Sequence, residues 1–106
     1  MKNKIIESIL LEERERLLGR LKVIEHRLKS LPDGWIRKTD RGGKVYKYLY
    51  KSKREGGKVK SIFLGKVNDN IEKQIRERKR LVAEKKRLKE RIEELNRFLR
   101  FSDTLT

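Results

Sequence analysis

The chain has 106 residues, with 31 Lys or Arg against 16 Asp or Glu, and therefore a formal net charge of +15. Charged residues make up 44% and hydrophobic residues 35%, which is too polar for a thick globular core but suits thin helix pairs with one apolar stripe per helix. The chain has no Cys, which excludes disulfides, thiolate metal sites and Cys nucleophiles.

The expected location is the cytoplasm. No apolar run approaches the length of a membrane span, and the N-terminus lacks the uninterrupted apolar stretch of a signal peptide. The high content of Lys, Arg and Glu, with Gln74 as the single Gln, resembles the composition of thermophile proteins.

Residues 2–31 are predicted to form a first long helix. A heptad seam steps by four, three, four and three residues through Leu17, Leu21, Ile24, Leu28 and Leu31. Arg14 interrupts this seam, Asn3 is the expected N-cap, and Pro32 disfavours the helical conformation of the residue before it.

Residues 33–67 change character, because Gly, aromatic and β-branched residues become frequent there. Their pattern predicts strands over residues 34–39, 44–53 and 58–65, with turns at residues 40–43 and 55–57. Such an antiparallel β-meander of three strands needs another element to cover one of its faces.

A second long helix is predicted over residues 69–100, followed by a tail over residues 101–106. Leu81, Leu88 and Leu95 repeat every seven residues, and Asn68 or Asp69 can cap the start. The predicted fold is a single α+β domain, a long helix, a three-stranded antiparallel β-meander and a long helix. The two helices would form an antiparallel coiled-coil hairpin with a β-tip, and a homodimer through the helices is a further hypothesis.

The predicted sheet carries most of the charge surplus. Residues 32–67 hold eleven Lys or Arg and three Asp or Glu, a net charge of +8. Phosphate groups are natural partners for such a surface, and exposed lysines that protect strand edges from pairing are the alternative explanation. The candidate nucleic-acid-binding residues are Arg37, Lys38, Arg41, Lys44, Lys47, Lys51, Lys53, Arg54, Lys58 and Lys60.

In the predicted strand over residues 44–53, tyrosines alternate with other side chains. Tyr46, Tyr48 and Tyr50 share one face, and Val45, Lys47, Leu49 and Lys51 share the other. The tyrosines could stack on unpaired bases, or they could pack on the helix ends with Trp35 or Phe63. We expect the packing arrangement, in which Lys47 and Lys51 point outward and a basic β-ribbon enters a DNA major groove.

No pattern in the sequence indicates catalysis. His26 is the only His, no acidic cluster or Cys accompanies it, and the Gly-Gly pairs at residues 42–43 and 56–57 are typical of turns. We therefore expect a non-enzyme without a metal site, a cofactor or a small-molecule substrate.

The middle of the chain resembles small basic prokaryotic domains of unknown function. The resemblance lies in Gly34-Trp-Ile-Arg-Lys, Gly43-Lys-Val-Tyr-Lys-Tyr-Leu-Tyr and Glu55-Gly-Gly-Lys-Val-Lys-Ser-Ile-Phe-Leu-Gly. It is more loosely similar to the three-stranded DNA-binding domains of tyrosine recombinases and to basic hairpins of transposases. That similarity implies that Arg37, Lys47, Lys51 and Lys60 lie near DNA, although this chain has a long N-terminal helix and no catalytic domain.

These observations predict a protein that binds nucleic acid, with duplex DNA preferred over RNA and with a nucleoid association if the target is DNA. One alternative is a coiled-coil interaction module that docks an acidic protein, for which an exposed apolar stripe including Ile5, Ile9 and Leu11 would be the mark. Another is an RNA-binding protein, which exposed tyrosines would favour. Membrane binding is not expected, because neither helix pairs a wide apolar face with a basic one.

Overall fold

The computed structural model describes residues 4–104 of the chain and the side chains of residues 4–101. The elements are α1 (Lys4–Ser30), β1 (Trp35–Arg41), β2 (Lys44–Glu55), β3 (Lys58–Lys66) and α2 (Asp69–Thr104). The predicted order of a helix, a three-stranded meander and a second helix is confirmed. The expected N-cap Asn3 lies outside the described residues.

The second helix is longer than predicted. It ends at Thr104 instead of residue 100, so its last turn replaces the beginning of the predicted tail. No Gly or Pro occurs between residues 98 and 104 to stop the helix, and Phe101 continues its apolar content.

The sheet is antiparallel, with the strand order β1-β2-β3. Each hairpin turn consists of two glycines with positive φ, 59° and 83° at Gly42 and Gly43 and 53° and 79° at Gly56 and Gly57. Two successive residues with positive φ are the signature of a type I′ turn, whose twist matches that of the flanking strands. The glycines therefore fix where β1 ends, where β2 begins and ends, and where β3 begins.

The chain divides into two compact units. A helical unit lies within Met1–Ser30 and Leu81–Thr106, and a sheet unit comprises Leu31–Arg80. The sequence was interpreted as one domain, and α2 contributes residues to both units.

In the helical unit, α1 runs antiparallel to the second part of α2. The guanidinium of Arg20 donates two hydrogen bonds to the Glu84 carboxylate, at 2.8 and 3.2 Å. The helices bury one apolar stripe each. The buried residues are Leu17 and Ile24 of α1 and Leu81, Ile92 and Leu99 of α2. Of the predicted seam positions, Leu17, Ile24 and Leu81 are buried as expected, whereas Leu21, Leu28, Leu88 and Leu95 are only half-buried.

Two polar residues, Arg14 in α1 and Lys85 in α2, have partners on the other helix. Arg14 Nη1 donates to Asn96 Oδ1 at 2.8 Å, and Lys85 Nζ lies 3.7 Å from Glu25 Oε1. Because each polar group has a partner on the other helix, the antiparallel pairing continues past these positions.

In the sheet unit, the buried apolar side chains are Leu31, Leu49 and Ile75. The side chain of Asn68 accepts a hydrogen bond from the backbone N–H of Ile71 at 2.8 Å, so Asn68, and not Asp69, is the N-cap of α2. A cap at this position starts α2 directly after the sheet.

Candidate nucleic-acid interface

The strand register assigns the charged and aromatic residues to two faces of the sheet. Paired residues point to the same side, and Tyr50 pairs with both Trp35 and Phe63. We call this side the aromatic face; its ring-bearing residues are Trp35, Tyr46, Tyr48, Tyr50 and Phe63. The opposite side, which carries Lys47 and Leu49, is called the helix-side face.

Four rings of the aromatic face form one cluster. Trp35 stacks on Tyr50, with ring centroids 5.0 Å apart and an interplanar angle of 19°. Phe63 contacts Tyr50 edge-on at 5.6 Å and also lies 5.8 Å from the ring of Tyr48. The cluster spans all three strands, because β1, β2 and β3 each contribute at least one ring.

The aromatic cluster is open to solvent. Trp35 is 41% exposed and Phe63 is 57% exposed, while Tyr48 and Tyr50 are half-buried. We expected the tyrosines to pack on the helix ends with Trp35 or Phe63; the ring contacts with Trp35 and Phe63 are present for Tyr48 and Tyr50.

The helix-side face, not the aromatic face, contacts α2. Lys47 Nζ donates to Glu72 Oε2 at 2.6 Å, and Leu49 is 8% exposed. The expectation that Lys47 points outward is therefore wrong. Burial of the apolar Leu49 side chain favours this face as the covered one. Lys47 lies on the same face, and its long aliphatic chain lets its ammonium group reach the Glu72 carboxylate.

The contact changes the acidity of Glu72. Its hydrogen bond from Lys47 is the main reason that the pKa of the Glu72 carboxyl lies below its usual value. Partial burial opposes this shift, and the positive charge of Arg76, whose Nη2 lies 3.3 Å from Glu72 Oε1, adds to it. Glu72 is thus ionised at neutral pH, and the ammonium group of Lys47 is its ion-pair partner.

The exposed cations divide between the two faces. Of the ten predicted residues, the register places Arg37, Arg41, Lys44 and Arg54 on the aromatic face and the other six on the helix-side face. Within the described part of the chain, these four side chains form no ion pair. They are exposed; Arg37 pairs with Tyr48 of the ring cluster, and Arg41, Lys44 and Arg54 lie further along the same face toward the two hairpin turns.

Helix-side cations are partly neutralised. Besides the Lys47 contact, Glu55 lies 3.5 Å from Lys53 Nζ and 3.6 Å from Lys60 Nζ. Lys38, Lys51 and Lys58 are exposed on this side of the sheet. Among the described residues, four of the ten predicted cations lie on the aromatic face without an ion pair, against three on the helix-side face.

One functional candidate was missed from the sequence. Lys66 pairs with Tyr48 and its Nζ lies 5.5 Å from the ring centroid of Tyr46, so it belongs to the aromatic face. A strict alternation from Phe63 would put Lys66 on the helix-side face, but the register shifts at Leu49 and Tyr50, leaving Leu64 unpaired. Gly65 within the strand was the available signal for this β-bulge.

Metal binding and membrane spanning find no support in the described residues. Among them, no three His, Cys, Asp or Glu side chains are grouped so that they could hold a metal ion. Over the same part of the chain, neither helix combines the length and the apolar character needed to cross a membrane.

A comparison with known proteins returns no match to this chain among protein-family models, curated proteins or solved structures. The candidate interface therefore rests on the geometry of the sheet.

The helical unit carries a separate exposed apolar surface. Ile9 is 58% exposed, Leu11 39% and Phe98 56%. Phe98 lines an open groove with Ile6, Leu10 and Leu95, and Arg91 and Glu94 lie at its border. The residues of the predicted stripe, Ile5, Ile9 and Leu11, are exposed, but Leu11 lines a depression with Glu7 and Arg14 that differs from the groove at Phe98.

Proposed function

We propose that this protein binds nucleic acid through its sheet and catalyses no reaction. The observation that carries the proposal is the aromatic face, where exposed Arg and Lys side chains without carboxylate partners share one side of the sheet with an open cluster of rings. Phosphate oxygens would supply the missing negative charge, and release of their counterions would favour binding.

The face that makes contact differs from the one the sequence favoured. A major-groove ribbon built on Lys47 and Lys51 loses Lys47 to Glu72, whereas Arg37, Arg41, Lys44 and Arg54 remain available on the aromatic face. Duplex DNA remains a candidate ligand, since phosphate contacts alone do not distinguish it from RNA.

A charge reversal on each face tests the proposal. Arg37 and Lys38 are adjacent, exposed and on opposite faces, so they form a matched pair. We expect Arg37→Glu to weaken binding to RNA or DNA more than Lys38→Glu does. The measurement is fluorescence anisotropy at several salt concentrations, where each lost phosphate contact lowers the slope of log affinity against log salt by about 0.7–0.9.

Heparin serves as the control polyanion in this assay. Tighter binding to nucleic acid than to heparin supports the proposal. If no nucleic acid competes better than heparin and the two variants bind alike, the charge of the sheet is a general property of the surface and the proposal fails. A cytoplasmic location, and a nucleoid association for a DNA ligand, remain predictions.

We also propose a second candidate function, a coiled-coil interaction module, because of the exposed apolar surface on the helical unit. Association through the groove lined by Ile6, Leu10, Leu95 and Phe98 would remove that surface from water, either in a homodimer or in a complex with an acidic protein. Sedimentation velocity tests the homodimer: we expect Phe98→Ser to shift a dimer toward monomer, and a monomeric wild-type protein at micromolar concentration would contradict it.

A further inference from the structure

We infer that the aromatic face binds single-stranded RNA by stacking unpaired bases on its rings. This inference rests on the proposed function and specifies its ligand. It follows from the rows into which the three strands place their side chains, from the exposure of the rings, and from the charge beside them.

The side chains of the aromatic face are arranged in rows across the strands. One row consists of Trp35, Tyr50 and Phe63, and the next row consists of Arg37, Tyr48 and Lys66. Successive same-face residues of a strand are separated by about 7 Å. An aromatic row and a row with a cation at each end therefore lie side by side.

This arrangement matches the two chemistries of a single strand. Bases of any sequence can stack on aromatic rings, and the backbone phosphates bind to neighbouring cations. Trp35 and Tyr50 cover one face of each other, so the exposed parts of Trp35 and Phe63 are the ring surface offered to a base. Arg37 and Lys66 provide the cations on either side of Tyr48. Phosphate binding alone would leave the exposed rings without a ligand.

Exposure of the rings supports base contact. Trp35 is 41% exposed and Phe63 is 57% exposed, although only 35% of the residues in the chain are hydrophobic. Clustered apolar surface on an otherwise charged protein marks a binding site more often than scattered apolar residues do.

A single strand fits this surface better than a duplex. The faces of paired bases are covered by their neighbours in a duplex, which offers a sheet only groove edges and phosphates. Unpaired bases in RNA loops and ends can be splayed out onto aromatic side chains. Three of the five rings are tyrosines, whose hydroxyls can hydrogen-bond to the 2′-OH that distinguishes RNA from DNA.

Trp35 provides a direct readout, because it is the only Trp of the chain. The probes are an oligouridine, an abasic RNA of equal length and charge, an oligodeoxyuridine and a DNA duplex. We expect the oligouridine to quench Trp35 emission and to bind about tenfold or more tighter than the abasic strand. It should also bind more tightly than either DNA.

Matched variants separate stacking from other effects. Phe63 and Val23 are equally exposed, at 57% and 58%, and lie in different units. Phe63→Ser should lower oligouridine affinity about tenfold, the loss of one stacked ring, and Val23→Ser, outside the sheet, should leave it unchanged. Thermal melting of each variant verifies folding, and Tyr48→Phe, which removes only a hydroxyl, should narrow the preference for RNA over DNA.

Each contrary result has a distinct meaning. If the abasic strand binds as tightly as the oligouridine, base stacking is overturned while the phosphate contacts of the proposed function stand. Equal affinity for the oligodeoxyuridine would overturn the assignment to RNA. If no probe binds, the inference and the proposed function fail together.

Discussion

At the scale of single residues, Gly34 shows how one position fixes the entry into the sheet. Its φ is 142°, and a Cβ at this position would lie 2.5 Å from the carbonyl oxygen of Tyr50 and 3.0 Å from Leu49 Cδ1. Backbone atoms cannot yield to such a contact. Trp35, which stacks on Tyr50, follows directly, so the close approach at Gly34 also positions the first ring of the aromatic face.

Gly34→Ala is expected to destabilise the protein by more than about 1 kcal/mol, because the new methyl group is strained in this conformation and meets backbone. Gly19→Ala is the matched control. Gly19 lies within α1, and a methyl group added there would meet no atom within 4 Å. Alanine should stabilise the helix there by about 0.5–1 kcal/mol. Urea denaturation measures both, and equal effects of the two substitutions would refute this account of Gly34.

At the scale of elements, the contact between β2 and α2 decides which face of the sheet is available. Leu49 and Ile75 are buried in the sheet unit, and the ion pair of Lys47 with Glu72 lies beside them. Glu72 is mostly covered, with 14% of its side chain exposed, whereas Lys47 keeps 30%. The pair therefore belongs to the packing of the helix on the sheet.

This contact predicts a pH dependence of stability. The pKa of Glu72 is lowered in the folded state, chiefly by Lys47, so its contribution is present above the pKa of an unfolded Glu, about 4.3. The contribution is lost as the pH falls through the lowered pKa of the folded state. Glu72→Gln should lower Tm at pH 7, and its difference from the wild type should shrink toward pH 3. A constant difference across a series of thermal melts would contradict this role.

At the scale of the whole molecule, the net charge of +15 opposes folding through self-repulsion. The helical unit offsets part of its own charge with pairs such as Arg20 with Glu84, while the exposed cations of the aromatic face have no such partners in the described chain. The charge of the helical unit is thus partly neutralised by its own carboxylates, whereas neutralisation of the aromatic face requires an anion from outside the described chain.

We therefore expect added salt to raise the thermal stability of the protein without ligand, because screening acts over about 10 Å at 0.1 M and weakens the repulsion. A bound nucleic acid should raise Tm at low salt by linkage, and this increase should shrink as salt is added. Scanning calorimetry at several salt concentrations measures both effects. A Tm that falls steadily with salt in the free protein would show that its ion pairs outweigh the repulsion.

Local patterns in the amino-acid sequence are enough to predict the elements. Heptad spacing places Leu17, Ile24 and Leu81 on stripes that must be buried, Pro32 stops the first helix, and each Gly-Gly pair closes a two-residue turn. These are local effects, since they depend on neighbours within a few residues. Alternation along β2 likewise assigned Tyr46, Tyr48 and Tyr50 to one face.

The face that α2 covers and the position of the register shift follow from tertiary packing instead. Alternation separates two faces but does not tell which is covered; burial of Leu49 and the Lys47–Glu72 contact place α2 opposite the rings. The β-bulge before Gly65 then moves Lys66 to the aromatic face. Gly65 indicates a bulge in this strand, but the residue that is left unpaired and the face that is covered both depend on pairing and packing between residues distant in the chain.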